Sequence, residues 1–303
     1  MSTIQKELQD DDWKKELQDA IIVSMTGEPL KRLSALRSVG RHYTCSAPAS
    51  LFKYFKGDDR DIETIKANKL WYRAPSKYND VFDCDIAVDE SALKKCAMQL
   101  VPDGTKIRDG SYAWKNLQKA LHKAKQSLRS TIESLRSSMG VTCFSESDES
   151  LLMWAHYAND HRGICVEYDL LEINKQLKFT PVPIIYSKER VCFSVLNPET
   201  IEKDSIALFL RSITTKSKEW DYEHEWRIVR DHAACGDRWD SENQGALLDM
   251  ICPSSITLGC AAEEKTENKL KAYCQEKRIP LYKMQKDEFQ YRLNKVAILK
   301  FDT

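Results

Sequence analysis

The chain has 303 residues, of which 42% are hydrophobic and 30% are charged, so it is long enough to bury a sizeable core. Its 46 basic and 46 acidic residues cancel, which argues against a nucleic-acid coat protein and against a polybasic membrane anchor. The ten cysteines include no CxxC pair, so we expect a cytoplasmic protein without a metal signature. The polar, acidic start of the sequence predicts that it carries no signal peptide.

Residues 1–47 are predicted to form a helical N-terminal extension. Apolar residues recur at helical spacing between Leu8 and Leu36. The sequence Gly27-Glu28-Pro29 is expected to separate two helices, and Gly40 is expected to end the second.

The main domain is predicted to span residues 48–303 and to be of the α+β class. About nine strands alternate with helices in no regular βαβ rhythm, which favours a mixed, mostly antiparallel sheet. Helices are expected near residues 62–66, 91–138, 151–158, 199–217 and 262–277, and strands at 51–55, 69–74, 140–146, 163–170, 182–186, 223–231, 256–260, 280–285 and 291–298.

Two features of these helices bear on function. Ser147 or Asp148 is expected to cap helix 151–158. The helical insert 91–138 is basic: residues 106–136 contain Lys106, Arg108, Lys115, Lys119, Lys123, Lys125, Arg129 and Arg136 against Asp109 and Glu133. The insert is therefore either a solvated helix face or a surface for an anionic partner.

Four segments of the chain carry a recognisable pattern. They are the segment from LFKYF through residue 85, then VTCFSESDESLLMWAHYANDHRGICVEYD (141–169), KSKEWDYEHEWRIV (216–229) and SSITLGC (254–260). In this order they resemble the bacterial family known as domain of unknown function 2971, and the segment 141–169 is the most specific of them. The resemblance is expected to span roughly residues 50–285, and membership of this family implies no activity by itself.

The EHEWR motif places two carboxylates and a guanidinium close together. On a strand, Glu223, Glu225 and Arg227 would share one face, because successive side chains alternate. Such groups are costly to bury unpaired. Either Glu225 and Arg227 form a structural ion pair, or the carboxylates line a cleft and act on a substrate.

The order of polar motifs is also similar to that of ADP-ribosyltransferases, which carry a first-strand Arg, then Ser-x-Ser and then Glu-x-Glu. The resemblance implies a split sheet and NAD as co-substrate, with Glu225 as the catalytic glutamate that stabilises the oxocarbenium ion and Glu223 activating the acceptor. Ser145 would contact the ribose, with Ser147 completing that motif, and Lys53 would be the first-strand residue. Another alignment puts His42 or Arg41 in that first position, and the aromatic residues Tyr54, Trp71 or Tyr72 could stack on nicotinamide.

Three hypotheses therefore remain open. The first is an NAD-dependent ADP-ribosyltransferase-like toxin or phage-defence effector that modifies a protein or nucleic acid. The second is a non-enzymatic binding module of unknown partner, in which EHEWR is a structural strand. The third is a hydrolase that uses the paired carboxylates.

Overall fold

A computed structural model describes residues 3–99, 108–177, 180–193 and 201–301. Its helices are α1 (Thr3–Thr26), α2 (Pro29–Cys45), α3 (Asp59–Lys66), α4 (Glu90–Gln99), α5 (Tyr112–Ser137), α6 (Leu151–Tyr157), α7 (Leu170–Leu177), α8 (Ile201–Thr214), α9 (His232–Cys235) and α10 (Glu264–Lys277), with 3₁₀ turns at Pro75–Lys77, Lys218–Glu223 and Gly236–Arg238.

The strands are short and numerous. They are β1 (Ser50–Phe55), β2 (Lys69–Arg73), β3 (Ala87–Val88), β4 (Met139–Ser145), β5 (Ile164–Asp169), β6 (Val182–Pro183), β7 (Ile185–Ser187), β8 (Cys192–Phe193), β9 (Thr215–Ser217), β10 (Glu225–Asp231), β11 (Trp239–Asp240), β12 (Gly245–Asp249), β13 (Ser255–Leu258), β14 (Leu281–Lys286) and β15 (Leu293–Leu299).

The chain forms two compact units, each built from three separate segments. Unit 1 contains Met1–Ser46, Ala74–Met139 and Ile185–Lys218, and unit 2 contains Ala47–Arg73, Gly140–Ile184 and Glu219–Thr303. The predicted main domain 48–303 therefore contributes segments to both units, and the first segment of unit 1 ends at Ser46.

Unit 2 is built around one large sheet of eleven strands. Its strand order is β11-β12-β2-β4-β1-β5-β13-β14-β15, and β10 pairs with both β4 and β6. The β13–β14 pair is parallel, whereas the β1–β5, β12–β2 and β14–β15 pairs are antiparallel. With the helices around it, this sheet confirms the α+β class.

β4 is the strand on which the site depends, because it has three neighbours. It meets β2 at Arg73↔Val141, meets β1 at Phe52↔Ser145 and also pairs with β10. A cluster of buried residues that includes Trp154, Cys165 and Met284 packs on the sheet nearby. Side chains from β1, β4 and β10 are thereby brought to one place in unit 2.

Unit 1 is mostly helical. α1 packs against α2 and α8, and the side-chain amide of Gln18 donates to Thr214 Oγ1 at 2.6 Å. α5 packs against α4, and β3–β8 and β7–β9 form two small parallel pairs. Within the described part of the chain, no helix combines the length and apolar character needed to cross a bilayer.

Several predicted boundaries are wrong for local reasons. Gly40 lies inside α2, which continues to Cys45. A Cβ at Gly40 would have no atom within 4 Å, so neither a turn nor a close contact requires glycine there. Ser150, rather than Ser147 or Asp148, caps α6 by accepting from the Met153 N–H at 3.3 Å.

The middle of the chain also differs from the prediction. The predicted strand 182–186 is two strands, β6 and β7, whose partners are β10 and β9. The helix predicted at 199–217 ends at Thr214, because β9 begins at Thr215. Residues 199–200 and Lys106 lie outside the described residues. β12, which pairs with β2, was not predicted at all.

Candidate functional site

The first component of the site is a buried ion pair on β10. Arg227 Nε donates to Glu225 Oε1 at 2.7 Å, and Arg227 Nη2 donates to Glu225 Oε2 at 3.1 Å. Glu225 is 3% exposed and Arg227 is 0% exposed. Two parallel hydrogen bonds from one guanidinium to one carboxylate form a strong, geometrically specific pair.

Glu223 does not lie on the strand. It ends the 3₁₀ turn Lys218–Glu223, and β10 begins only at Glu225. His224 between them has φ 43°, in the left-handed region, and its N–H donates to the Asp221 carbonyl. The strand predicted from residue 223 is therefore two residues too long, and Glu223 and Glu225 do not share a strand face by simple alternation.

The SES segment, Ser145-Glu146-Ser147 at the end of β4, fixes the position of the start of β10 through hydrogen bonds. Ser145 Oγ donates to the Glu223 carbonyl at 2.8 Å, and Ser145 is 1% exposed. The Glu146 N–H donates to the His224 carbonyl at 3.0 Å, and Trp226 Nε1 donates to Glu146 Oε1 at 2.7 Å. These hydrogen bonds support the left-handed residue, whose conformation is unfavourable for a non-glycine residue.

Ser147 and Tyr54 form a smaller linkage beside the SES segment. The Tyr54 hydroxyl donates to the Ser147 carbonyl at 2.9 Å, and Ser147 Oγ accepts from the Glu149 N–H at 3.0 Å. The Tyr54 ring packs edge-on against Trp154 with centroids 5.2 Å apart. Both residues therefore order the loop that leads into α6.

Lys53 brings a positive charge from β1 to the same region. Its Nζ donates to the Cys143 carbonyl at 2.9 Å. Burial lowers the pKa of the Lys53 ammonium, while nearby Cys143 and Glu225 oppose that shift. Burial, followed by the Glu225 charge, raises the pKa of the Cys143 thiol to about 12, and Arg227 and Lys53 work in the other direction. The buried Glu225 and Arg227 and the half-buried Lys53 and Cys143 thus form one polar cluster.

The outer edge of this cluster consists of aromatic side chains that sequence reasoning did not select. The Tyr157 hydroxyl donates to Glu223 Oε1 in a short hydrogen bond, and burial followed by the Glu223 charge raises the Tyr157 pKa. His156 Nδ1 and the Tyr222 hydroxyl share a hydrogen bond of 3.1 Å. The signal available in the sequence was the pair His156-Tyr157 on a short helix directly after the serine motif.

The remaining sequence candidates lie elsewhere. Trp71 is on β2, opposite Leu247 of β12, and its ring lies so close to Gly245 that a Cβ there would be 2.5 Å from it. His42 lies on α2 in unit 1, stacked on Trp13 with ring centroids 6.3 Å apart. The structure therefore brings together Lys53, Ser145, Glu223 and Glu225, places Tyr54 and Ser147 beside them, and leaves Trp71 on β2. Among the described residues, no group of three or more His, Cys, Asp or Glu side chains is arranged to hold a metal ion.

The fold and the site define an α+β protein with a buried polar cluster between three strands of its large sheet. The family model described as "Protein of unknown function (DUF2971)" matches residues 153–228, which confirms the predicted family resemblance for that segment. The matched segment is shorter than the predicted 50–285; it contains Tyr157, Glu223, Glu225 and Arg227, whereas Lys53 and Ser145 precede it. No curated protein and no solved structure matches the chain.

Proposed function

We propose that this chain is a non-enzymatic binding module in which Glu225 and Arg227 form a structural ion pair. The observation that carries the proposal is the two-pronged contact of Arg227 with both carboxylate oxygens of the buried Glu225. A guanidinium in that position neutralises the carboxylate. A catalytic carboxylate must instead direct its charge at the substrate atom on which positive charge develops.

The neighbouring polar groups support the same proposal. The Ser145 hydroxyl donates to a main-chain carbonyl at 2.8 Å, and the Lys53 ammonium donates to another at 2.9 Å. Groups that are held by the backbone in this way stabilise strand ends and turns. Using them to bind a dinucleotide would first require breaking those hydrogen bonds in the interior.

A second candidate, an NAD-dependent ADP-ribosyltransferase-like enzyme, is favoured by one observation. Lys53 on β1, Ser145 on β4 and Glu225 on β10 lie on neighbouring strands, in the order implied by the resemblance to that superfamily. On this proposal, Glu225 would stabilise the oxocarbenium ion and Glu223 would activate the acceptor. NAD would contact Lys53, Tyr54, Trp71, Ser145 and Ser147, and the acceptor would be a protein or a nucleic acid.

One experiment separates the two candidates. Nicotinamide release from NAD is measured with the purified chain, with and without cell lysate, and NAD binding is followed by calorimetry. A binding module releases no nicotinamide and binds no NAD. Release that disappears in Glu225→Gln, while the variant stays folded and the exposed control Glu242→Gln remains active, would replace the binding-module proposal with the transferase.

A further inference from the structure

The outer face of α5 carries a row of lysines. Lys115, Lys119 and Lys123 follow one another at four-residue spacing, so each lies about 40° around the helix and about 6 Å along it from the last. All three are exposed, and no ion pair involves them among the described residues. Within the described part of the chain, the row is therefore a regular line of ammonium groups that form no ion pair.

The other basic residues of α5 behave differently. Lys125 pairs with Glu90 of α4, and Arg129 approaches Asp85 at 3.5 Å. On the same inner side, the Lys94 ammonium lies 4.8 Å from the centroid of the Trp114 ring. The basic residues of the inner face therefore have partners within their own unit, and a structural role accounts for them. The same explanation does not apply to the lysines of the outer row.

The sequence of α5 makes the row unfavourable for the helix alone. Lysines four residues apart repel each other, at a cost on the order of a few tenths of a kcal/mol per pair. No Asp or Glu occurs between Asp109 and Glu133, although a glutamate at any outer position would relieve the repulsion. A helix face kept purely basic in a chain of zero net charge indicates an anionic partner.

An exposed aromatic residue stands at the start of the row. Tyr112 is 82% exposed and lies on the same side of the helix as Lys119. Tyr112, Lys115 and Lys119 also line a surface recess of about 480 Å³, which is large enough for a nucleobase and which Trp114 borders as well. Apart from the half-buried Trp114, no further large apolar side chain of the described residues is exposed on the lysine-facing side, whereas a helix that lies in a membrane needs a broad apolar face.

We propose that the outer face of α5 binds single-stranded nucleic acid, with Lys115, Lys119 and Lys123 along the phosphates and Tyr112 stacked on a base. Alternating cationic and aromatic contacts are the general means by which proteins hold unpaired strands without reading sequence. This inference rests on the proposed binding function and names its partner.

The test uses the full chain and a fluorescent oligothymidylate of about 16 nucleotides, with binding followed by anisotropy across a salt series. Three phosphate contacts predict that the logarithm of the association constant falls with the logarithm of salt with a slope of about −2. The triple variant Lys115→Gln/Lys119→Gln/Lys123→Gln should bind at least about tenfold more weakly at low salt, with a slope near zero.

The matched control changes the same charge elsewhere. Lys265, Lys271 and Lys277 are exposed on α10 in unit 2, and replacing all three by Gln should leave binding unchanged. Tyr112→Ala should weaken binding of the single strand by at least about fivefold while leaving the salt slope intact, because stacking carries no charge.

The proposal is overturned if the folded wild-type chain does not bind the oligonucleotide at low salt, or if the α5 triple variant binds as wild type does. It is also overturned if the α10 control loses as much affinity. Binding to phosphatidylserine vesicles that only the α5 variant loses, without oligonucleotide binding, would assign the face to a membrane instead. The nicotinamide-release assay tests the proposed binding function separately, because it compares wild type with the Glu225→Gln variant and leaves α5 unchanged.

Discussion

Removing one member of the Glu225–Arg227 pair should destabilise the protein far more than removing both. Arg227→Met leaves a carboxylate buried at 3% exposure without its guanidinium, and Glu225→Gln leaves a guanidinium buried at 0% exposure without its carboxylate. Breaking a buried ion pair by removing one partner costs about 3–5 kcal/mol, so each single variant should lose about that much free energy of unfolding.

The double variant Glu225→Met/Arg227→Met tests whether the pair acts as a unit. Paired apolar replacements of buried ion pairs are often neutral, so the double variant should be more stable than either single one. Unfolding in guanidinium chloride gives the free energies of unfolding of wild type, the two single variants and the double variant. The loss in the double variant is expected to be smaller than the sum of the two single losses by about 3 kcal/mol or more.

The result that would refute a structural role is additivity. If each single variant lost less than about 1 kcal/mol and the double variant lost their sum, the pair would not hold β10 in place, since exposed or weakly coupled charges behave in that way. Glu242→Gln, at an exposed position, serves as the control for the carboxylate change and should alter stability by less than about 0.5 kcal/mol.

Three further predictions concern other parts of the chain. Gly163→Ala should lower the free energy of unfolding by about 1–3 kcal/mol or more, because its Cβ would lie 2.1 Å from a main-chain oxygen. Gly40→Ala in the interior of α2 should instead raise it by about 1 kcal/mol, and denaturant unfolding measures both changes. Hydrogen bonds to the Asp287 carboxylate lower its pKa, so its stabilisation of the β14–β15 turn should persist at neutral pH. That stabilisation should fade as the pH falls below the unfolded-state pKa of about 3.9. Amide exchange of the turn detects this trend, and Asp287→Asn should abolish it. The half-buried Cys143 thiol, with its pKa raised to about 12, should resist alkylation in the native protein, whereas exposed Cys252 should react. Mass spectrometry of labelled peptides distinguishes the two.

The elements of unit 2 that follow from the sequence are those whose pattern is local. β1, β2, β4 and β5 lie close to their predicted positions because each is a short apolar or aromatic run bounded by turn residues. β12 was not predicted, since its pairing with β2 depends on Gly245 lying under the Trp71 ring, and that contact joins residues far apart in the sequence. Strand pairing of this kind has no signature in a single window.

The candidate site shows the same division between local and long-range information. Alternation correctly puts Glu225 and Arg227 side by side, because both lie within β10. It fails for Glu223, since the left-handed conformation of His224 is supported by Ser145 and Glu146, which are about eighty positions earlier. Sequence patterns could name the charged residues but not the main-chain hydrogen bonds that fix their geometry.

The hydrogen bonds around Ser145 and Glu225 bear on both proposed functions, because the same two residues would form the catalytic site of a transferase. Ser145 links the end of β4 to the segment before β10, because its hydroxyl donates to the carbonyl of Glu223 at 2.8 Å. Arg227 pairs with Glu225 in the interior, so on the binding-module proposal the carboxylate charge is not directed at an oxocarbenium ion. Arg227 is therefore the residue that separates the two functions: in a transferase its contact with Glu225 would have to open when NAD binds, whereas in a binding module it stays closed throughout.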